Sequence, residues 1–317
     1  MELRKDYILD KYVIISESRG KRPHQFASVE SKDVGTCFFC PGNESYTPNE
    51  IIRTNDSNGN WKMRVFPNKF AAVDKVCDGN CKPFIQTDNQ FYTYASAYGS
   101  HEILVETPEH EKQLWDLSEE EITAVFKVYK ERIRELMKDE LIKFVAVFKN
   151  SGKEAGTSIV HTHSQIIAIN FVPPFVSEKL SAITHYNYCP YCKIMQTEKD
   201  SYRRCFENER WIAFTPYASK FHYEIWVLPK KHISTMEEFD DKDFTELSKI
   251  MKLVLTKLKS INAPYNYYLH YYPRKDFHFM IEVTPRLATW AGFEEDTGII
   301  INSVSPELAA KFYRGEE

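Results

Sequence analysis

Glu102-Ile-Leu-Val-Glu-Thr-Pro-Glu-His110 recurs without a gap as Glu224-Ile-Trp-Val-Leu-Pro-Lys-Lys-His232. In both copies Glu-Ile-x-Val is followed by His, eight positions after the Glu. Working outward, each copy has a CxxC pair upstream, Cys37/Cys40 in one and Cys189/Cys192 in the other. Each also has an amphipathic helical pattern downstream. The first pattern opens with Ser118 and Glu121 at capping-box spacing and sets Ile122, Val125, Phe126, Tyr129, Ile133 and Leu136 on one stripe. The second begins near Asp240 and carries Phe244, Leu247, Ile250, Met251, Val254 and Leu258. β-rich runs follow: Phe144-Val-Ala-Val-Phe148 leads to His161, and Tyr265-Asn-Tyr-Tyr-Leu269 leads to His278. The order CxxC, strands, His, helix, strand, loop, His, strand therefore occurs twice. It predicts an α+β fold of two tandem repeats, antiparallel sheets with covering helices, in one pseudo-symmetric body. A boundary near Pro173-Pro174 gives repeats 1–174 and 175–317.

Zinc is held tetrahedrally by thiolates and imidazoles, and a CxxC turn presents two sulfurs to one ion while distant histidines complete the shell. Each repeat offers such a set. The first is Cys37, Cys40, His110 and His161; the second is Cys189, Cys192, His232 and His278, so two zinc ions per chain are expected. A lone CxxC is also compatible with a redox pair, and it is the matched repetition that favours metal. His270 competes with His278 for the last place, and the parallel with His161 favours His278. Cys77-Asp-Gly-Asn-Cys81 reads as free surface thiols, and Cys205 as ordinary. His24, His101, His185 and His222 lack a partner pattern and read as structural or surface histidines.

Between the first strand and the first HxH lies Asn150-Ser-Gly-Lys-Glu-Ala-Gly156-Thr-Ser158, then His161-Thr-His163-Ser-Gln165. Residues two apart on a strand share a face, so His161, His163 and Gln165 are expected to project to one side. With His161 on the metal, His163 stays available, and a neutral imidazole can attack phosphorus to form a phosphoramidate. Charge on the phosphoryl oxygens calls for donors fixed in advance. The glycines permit close backbone approach, Thr157 and Ser158 offer hydroxyls, and Gln165 offers an amide. Arg19-Gly-Lys21-Arg22-Pro23 is a compact basic cluster able to pair a diphosphate, or simply a solvated turn. Two histidines on alternate positions are equally compatible with a pair of metal ligands.

Composition narrows the classes. The chain has 317 residues, 43% of them hydrophobic, enough for a sizeable core. Its 41 basic and 45 acidic side chains leave a formal charge of -4, which supplies no global field for nucleic acid or an anionic membrane. No apolar run approaches transmembrane length and the start lacks a signal-peptide core, so a cytoplasmic enzyme is expected.

These residues resemble the galactose-1-phosphate uridylyltransferase family, the two-repeat branch of the histidine-triad superfamily. Cys37-Phe-Phe-Cys40-Pro-Gly-Asn-Glu is similar to the family's first zinc motif, Val65-Phe-Pro-Asn68-Lys-Phe70 to its uridine-contact segment, and 150–165 to its active-site stretch; the basic turn at 19–23 also matches. The resemblance implies ping-pong chemistry. His163 attacks the α-phosphorus of UDP-glucose, glucose 1-phosphate leaves, and galactose 1-phosphate takes the uridylyl group. It further implies that Ser158 contacts the phosphoryl group, Gln165 holds the intermediate, and Asn68, Asn150, Arg19, Arg22, Gly156 and Thr157 serve the nucleotide. It also implies a homodimer.

Two departures matter. In the second repeat His278-Phe-Met280-Ile-Glu282 fills the HxHxQ slot, so Met280 stands where the nucleophile would be and only the first repeat is expected to react. In the tail, Ala291-Gly292-Phe293-Glu294 keeps part of the sugar-binding pattern, which assigns Phe293 and Glu294 to substrate, but Thr297-Gly298-Ile-Ile-Ile-Asn302 follows where a hexose-contacting Gln is expected. An ADP- or GDP-sugar phosphorylase or nucleotidyltransferase on the same scaffold, or a histidine-triad hydrolase, is the competing reading.

Overall fold

The computed structural model describes residues 2–5, 12–15, 36–75, 85–88 and 91–316. Arg19, Arg22, Cys77 and Cys81 lie outside the described residues. In chain order the strands and helices are β1 (Glu2–Lys5), β2 (Tyr12–Ile15), β3 (Ile52–Asn55), β4 (Trp61–Pro67), β5 (Gln86–Thr87), β6 (Thr93–Ser96), β7 (Gly99–Val105), α1 (Glu119–Leu136), β8 (Phe144–Ser151), β9 (His163–Ile169), α2 (Pro174–Ile183), α3 (Pro190–Glu198), β10 (Arg204–Glu207), β11 (Trp211–Phe214), β12 (Ile225–Pro229), α4 (Asp241–Ser260), β13 (Tyr265–His270), β14 (Met280–Pro285), α5 (Gly292–Thr297) and α6 (Pro306–Arg314). Two compact units interleave along the chain. The first comprises Met1–Glu111, Glu131–Val147 and His161–Lys179; the second comprises Lys112–Lys130, Phe148–Val160 and Leu180–Glu317. The second unit thus includes two segments, 112–130 and 148–160, that lie before the predicted boundary.

In the first unit β3, β4, β7 and β9 pair in that order, each antiparallel to the next. Their β-branched and leucine positions, Val65, Leu104, Val105 and Ile166, are fully buried, as the strand preference of such side chains requires. A buried ion pair, Arg132 to Glu102 at 2.8 Å, ties the end of α1 to β7. A smaller antiparallel sheet orders β2, β1, β6 and β5.

In the second unit β10, β11, β12, β14 and β13 pair antiparallel in that order, and β13 continues to the end of β8 through Tyr265↔Ser151 and Tyr268↔Phe148. Both predicted helix starts are present. Ser118 and Glu121 exchange bonds of 2.7 and 3.2 Å, and Asp240 and Asp243 exchange bonds of 2.8 and 3.0 Å, satisfying amide donors that a helix N-terminus otherwise leaves open. The buried stripe of α4 includes Leu247, Met251, Val254 and Leu258, and Trp211 of β11 donates its indole N–H to the Asp243 carbonyl at 2.9 Å. Antiparallel sheets with covering helices are thus what the chain forms. No described helix is long and apolar enough to cross a membrane.

The repeats are not superimposable copies in register. Glu102 faces Ile166 across β7 and β9. Carrying both forward by the offsets of the repeat gives Glu224 and Val283, yet Val283 faces Ile225. Side chains alternate with period two, so this one-residue slip changes which partners share a face. At the other end of the strands the correspondence survives: His161 Nε2 meets the Thr107 carbonyl at 2.7 Å, and His278 Nε2 meets the matching Pro229 carbonyl at 3.0 Å.

Candidate active site and metal centres

In the first unit the CxxC turn, the segment after β7 and the residue two before β9 bring Cys37, Cys40, His110 and His161 together, with their ligand atoms within 4.8 Å of one another. His161 Nδ1 lies 3.7 Å from Cys37 Sγ and 3.6 Å from Cys40 Sγ, and His110 Nδ1 lies 3.3 Å from Cys40 Sγ. Tetrahedral zinc, with bonds of about 2.3 Å to sulfur and about 2.0 Å to nitrogen, separates S from N by roughly 3.6 Å. The set therefore fits that ion. His161 uses Nε2 to donate to the Thr107 carbonyl, leaving Nδ1 as the ligand atom. Burial, followed by the charge of Cys37, pushes the Cys40 thiol up to about 11, so metal capture near neutrality displaces a proton.

The second unit repeats the arrangement with Cys189, Cys192, His232 and His278. His278 Nδ1 lies 3.8 and 3.5 Å from the two sulfurs and 3.3 Å from His232 Nδ1, again the spacing of a tetrahedral shell. Here the turn opens α3: Cys189 is its N-cap and accepts from the Cys192 N–H at 3.4 Å. Burial lowers His278 to about 4, which keeps it a neutral ligand. His270 is no competitor, because its Nε2 pairs with Glu282 at 2.8 Å.

β9 begins at His163, so His161 sits just before the strand and not on it as expected from alternation. The consequence is a bond back along the chain: His163 Nδ1 donates to the His161 carbonyl at 2.8 Å. This fixes the neutral tautomer with its lone pair on Nε2. Phe39, the third residue of the CxxC turn, stands edge-on to His163 with ring centroids 5.3 Å apart, and to His161 at 6.3 Å. The CxxC turn therefore also walls the His163 ring.

Gln165 and Asn68 meet through His101, expected from the sequence to be a structural or surface histidine. The Ala72 N–H donates to His101 Nδ1 at 3.1 Å, so Nε2 carries the proton and donates to Gln165 Oε1 at 3.0 Å. Asn68 Nδ2 lies 3.1 Å from the same Nε2, while Asn68 Oδ1 accepts from the Phe70 N–H at 2.8 Å. Gln165 is thereby oriented with its carbonyl toward His101 and its N–H₂ group directed elsewhere. The one available signal was position, since His101 immediately precedes the Glu that opens the repeated segment.

The loop after β8 belongs to the second unit. Gly152 has φ 90° and Gly156 φ 84°, values that disfavour a side chain, and a Cβ on Gly152 would fall 2.8 Å from Pro264 Cβ. Asn266 donates to Asn150 Oδ1 and to the Ala155 carbonyl, both at 2.8 Å, and so braces the loop. The Thr157 hydroxyl donates to the Ile159 carbonyl at 3.2 Å, which gives it a turn-forming role. Phe293 is half exposed in α5, and Glu294 accepts from the Ala291 N–H at 3.1 Å as part of that helix's cap. Asn302 donates to the Ser219 and Phe221 carbonyls at 3.0 and 3.2 Å.

The slot matching His163 and Gln165 holds Met280 and Glu282, both buried. Glu282 bonds His270 and lies 3.3 Å from Lys220 Nζ. Burial first, and then the charge of Glu282, raises Glu224 to about 7, although the Lys220 and Phe221 N–H groups and the Trp226 indole all donate to it.

The family model described as galactose-1-phosphate uridyl transferase, N-terminal domain, matches residues 2–173, and a model of a domain of unknown function matches 99–312. The chain is 33% identical to an ADP-glucose phosphorylase of Arabidopsis thaliana, over 99% of this chain and 92% of that one. It is 28% identical to a galactose-1-phosphate uridylyltransferase of Thermotoga maritima, over 100% and 99%. Among solved structures, a uridylyltransferase superposes with a TM-score of 0.81 at 28% identity, covering 99% of this chain and 98% of that one. The Arabidopsis thaliana ADP-glucose phosphorylase with bound ADP-glucose superposes with a TM-score of 0.78 at 31% identity, covering 99% of each.

Proposed function

The chain belongs to the galactose-1-phosphate uridylyltransferase family, and from that premise we propose that it is a UDP-glucose:hexose-1-phosphate uridylyltransferase acting through a nucleotidyl-His163 intermediate. The observation that carries this reading is the bond from His163 Nδ1 to the His161 carbonyl, which sets the tautomer whose Nε2 carries the lone pair needed to attack phosphorus. Nε2 forms a P–N bond as the P–O bond to glucose 1-phosphate breaks, and the leaving group departs with that electron pair. The Nδ1 proton stays in place, so the imidazolium that forms is stabilised by the carbonyl it already faces. In the second half a phosphate oxygen of the hexose 1-phosphate attacks, the P–N bond breaks, and the lone pair returns to Nε2.

Bound zinc would supply structural fixation, holding His161 through Nδ1 and with it the carbonyl that sets the His163 tautomer. Gln165, oriented by His101, is proposed to donate its amide to a phosphoryl oxygen, and Ser158 its hydroxyl. Asn68, Asn150, Gly156, Thr157, Phe293 and Glu294 are proposed substrate contacts, the last four with structural roles already noted or exposed positions. We place the repeats at 1–174 and 175–317, the protein in the cytoplasm, and the working form as a homodimer with two zinc ions per chain.

Identity to the plant ADP-glucose phosphorylase supports a second reading on the same nucleophile, with ADP-glucose as donor and phosphate as acceptor. Turnover of UDP- and ADP-glucose with galactose 1-phosphate or inorganic phosphate separates the two. Uridylyl transfer to the hexose phosphate supports the first; phosphorolysis of ADP-glucose without uridylyl transfer replaces it with the second.

A further inference from the structure

Glu106 follows β7, and its carboxyl takes both hydroxyls that flank His163. Thr162 Oγ1 donates to Oε2 at 2.7 Å, and Ser164 Oγ donates to Oε1. All three residues are buried, Glu106 with 2% exposure. Ser164 alternates with His163 and Gln165 on β9, so at that point the carboxyl holds the strand from the side opposite the His163 ring.

The second repeat provides a control inside the same molecule. Carried forward by the repeat, Glu106 corresponds to Leu228, Thr162 to Phe279 and Ser164 to Ile281, all fully buried and apolar. The register there differs by one residue, with Val227 facing Ile281, so these three positions do not form an apolar copy of the Glu106 contact; the second Cys₂His₂ set nevertheless comes together without a carboxylate or hydroxyl at any of them. Replacing a matched buried polar group by apolar groups of similar shape is close to neutral for stability and often favourable. The carboxyl and its two hydroxyls occur only in the copy that carries His163, among these matched positions.

We propose that Glu106 is a positioning residue for His163. Its two-point hold fixes the backbone on both sides of residue 163 and so aims Nε2, while the His161 carbonyl sets the tautomer. The inference rests on the reading of His163 as nucleophile. A displacement of about 1 Å at a reacting atom can cost about 100-fold in rate.

The test is the variant Glu106→Leu/Thr162→Val/Ser164→Ala, which removes acceptor and donors together at similar volume. Its single-turnover rate of His163 nucleotidylation, measured with UDP-glucose or with ADP-glucose if that is what the parent accepts, is expected to fall about 100-fold. KM, zinc content and Tm are expected to match the parent. Glu106→Gln, accepting from one hydroxyl and donating to the other, should restore most of the rate. An unchanged rate in the triple variant overturns the proposal. So does a rate loss that comes with loss of zinc or of Tm, or a Glu106→Gln enzyme as slow as the triple variant. His163→Ala is measured alongside. If it still turns over, the nucleophile reading falls; if it is dead while the triple variant is unimpaired, only the positioning role falls.

Discussion

The two repeats share a Cys₂His₂ set, antiparallel strands and a capped helix, yet they part around the proposed nucleophile. His163 is answered by Met280, Gln165 by Glu282, His101 by Tyr223, and the buried pair Glu102/Arg132 by Glu224/Val254. The shared features are those of an α+β unit whose Cys₂His₂ set could be pinned by a metal ion. The divergent ones cost burial of polar groups, which folding alone does not reward. On the proposed function, the Cys₂His₂ set is scaffold in both copies, and reactivity belongs to one of them through a small number of polar residues around His163.

The comparison breaks most sharply at its central pair. His163→Ala is expected to lower turnover by on the order of 10³-fold or more, whereas Met280→Leu, a volume-conserving change in a buried site, should leave turnover near the parent's and cost under about 1.5 kcal/mol. Steady-state kinetics on both variants checks this. If Met280→Leu is as damaging as His163→Ala, the second repeat is not silent.

The metal sets should separate next. Cys37→Ser and Cys189→Ser are each expected to remove one of two zinc ions, read by metal analysis of the purified chain. Loss of the first should abolish labelling of His163, because His161 and its carbonyl lose their anchor. Loss of the second should reduce Tm while His163 still reacts with nucleotide sugar. A zinc content of one in the parent would remove the symmetry of the two sets.

A smaller effect concerns the buried ion pair. Arg132→Val leaves Glu102 buried without its partner, and about 3–5 kcal/mol of stability is expected to be lost. Adding Glu102→Leu should recover most of it, because no buried charge is then left without a partner. Urea unfolding of the single and double variants measures the recovery, and equal losses in the two would contradict the assignment.

The smallest effect is in pH. Glu224 has its ordinary value of 4.5 raised to about 7, chiefly by burial and then by Glu282, with Lys220 and His270 close to that carboxylate. The folded state binds this proton more tightly than the unfolded chain. Its contribution to stability is therefore full below about 4.5 and is lost as pH rises through about 7. Glu224→Gln should flatten the fall in Tm across that window; an unchanged slope would assign it to other groups.

Much of this was legible in the sequence because it is periodic or covalently local. The helix caps at Ser118 and Asp240, the two CxxC pairs and the distant histidines of each set follow from spacing, and the structure assembles both sets as expected. What could not be read depends on contacts at long range. His101 looked ordinary because its partners, Asn68, Ala72 and Gln165, are up to 64 positions away and carry no motif with it. The one-residue slip between repeats arises from pairing across strands, which an ungapped alignment does not contain. The start of β9 at His163 also escaped notice, since alternation of side chains does not show where a strand begins.

The central claim is that one histidine of one repeat carries the nucleotidyl group. The direct measurement is mass spectrometry of peptides after the enzyme is quenched with nucleotide sugar in the absence of acceptor. One acid-labile nucleotidyl group per chain is expected on the peptide containing His163, with none on the peptide spanning 278–282. Label on another residue, or turnover with no covalent intermediate in the parent enzyme, would contradict it.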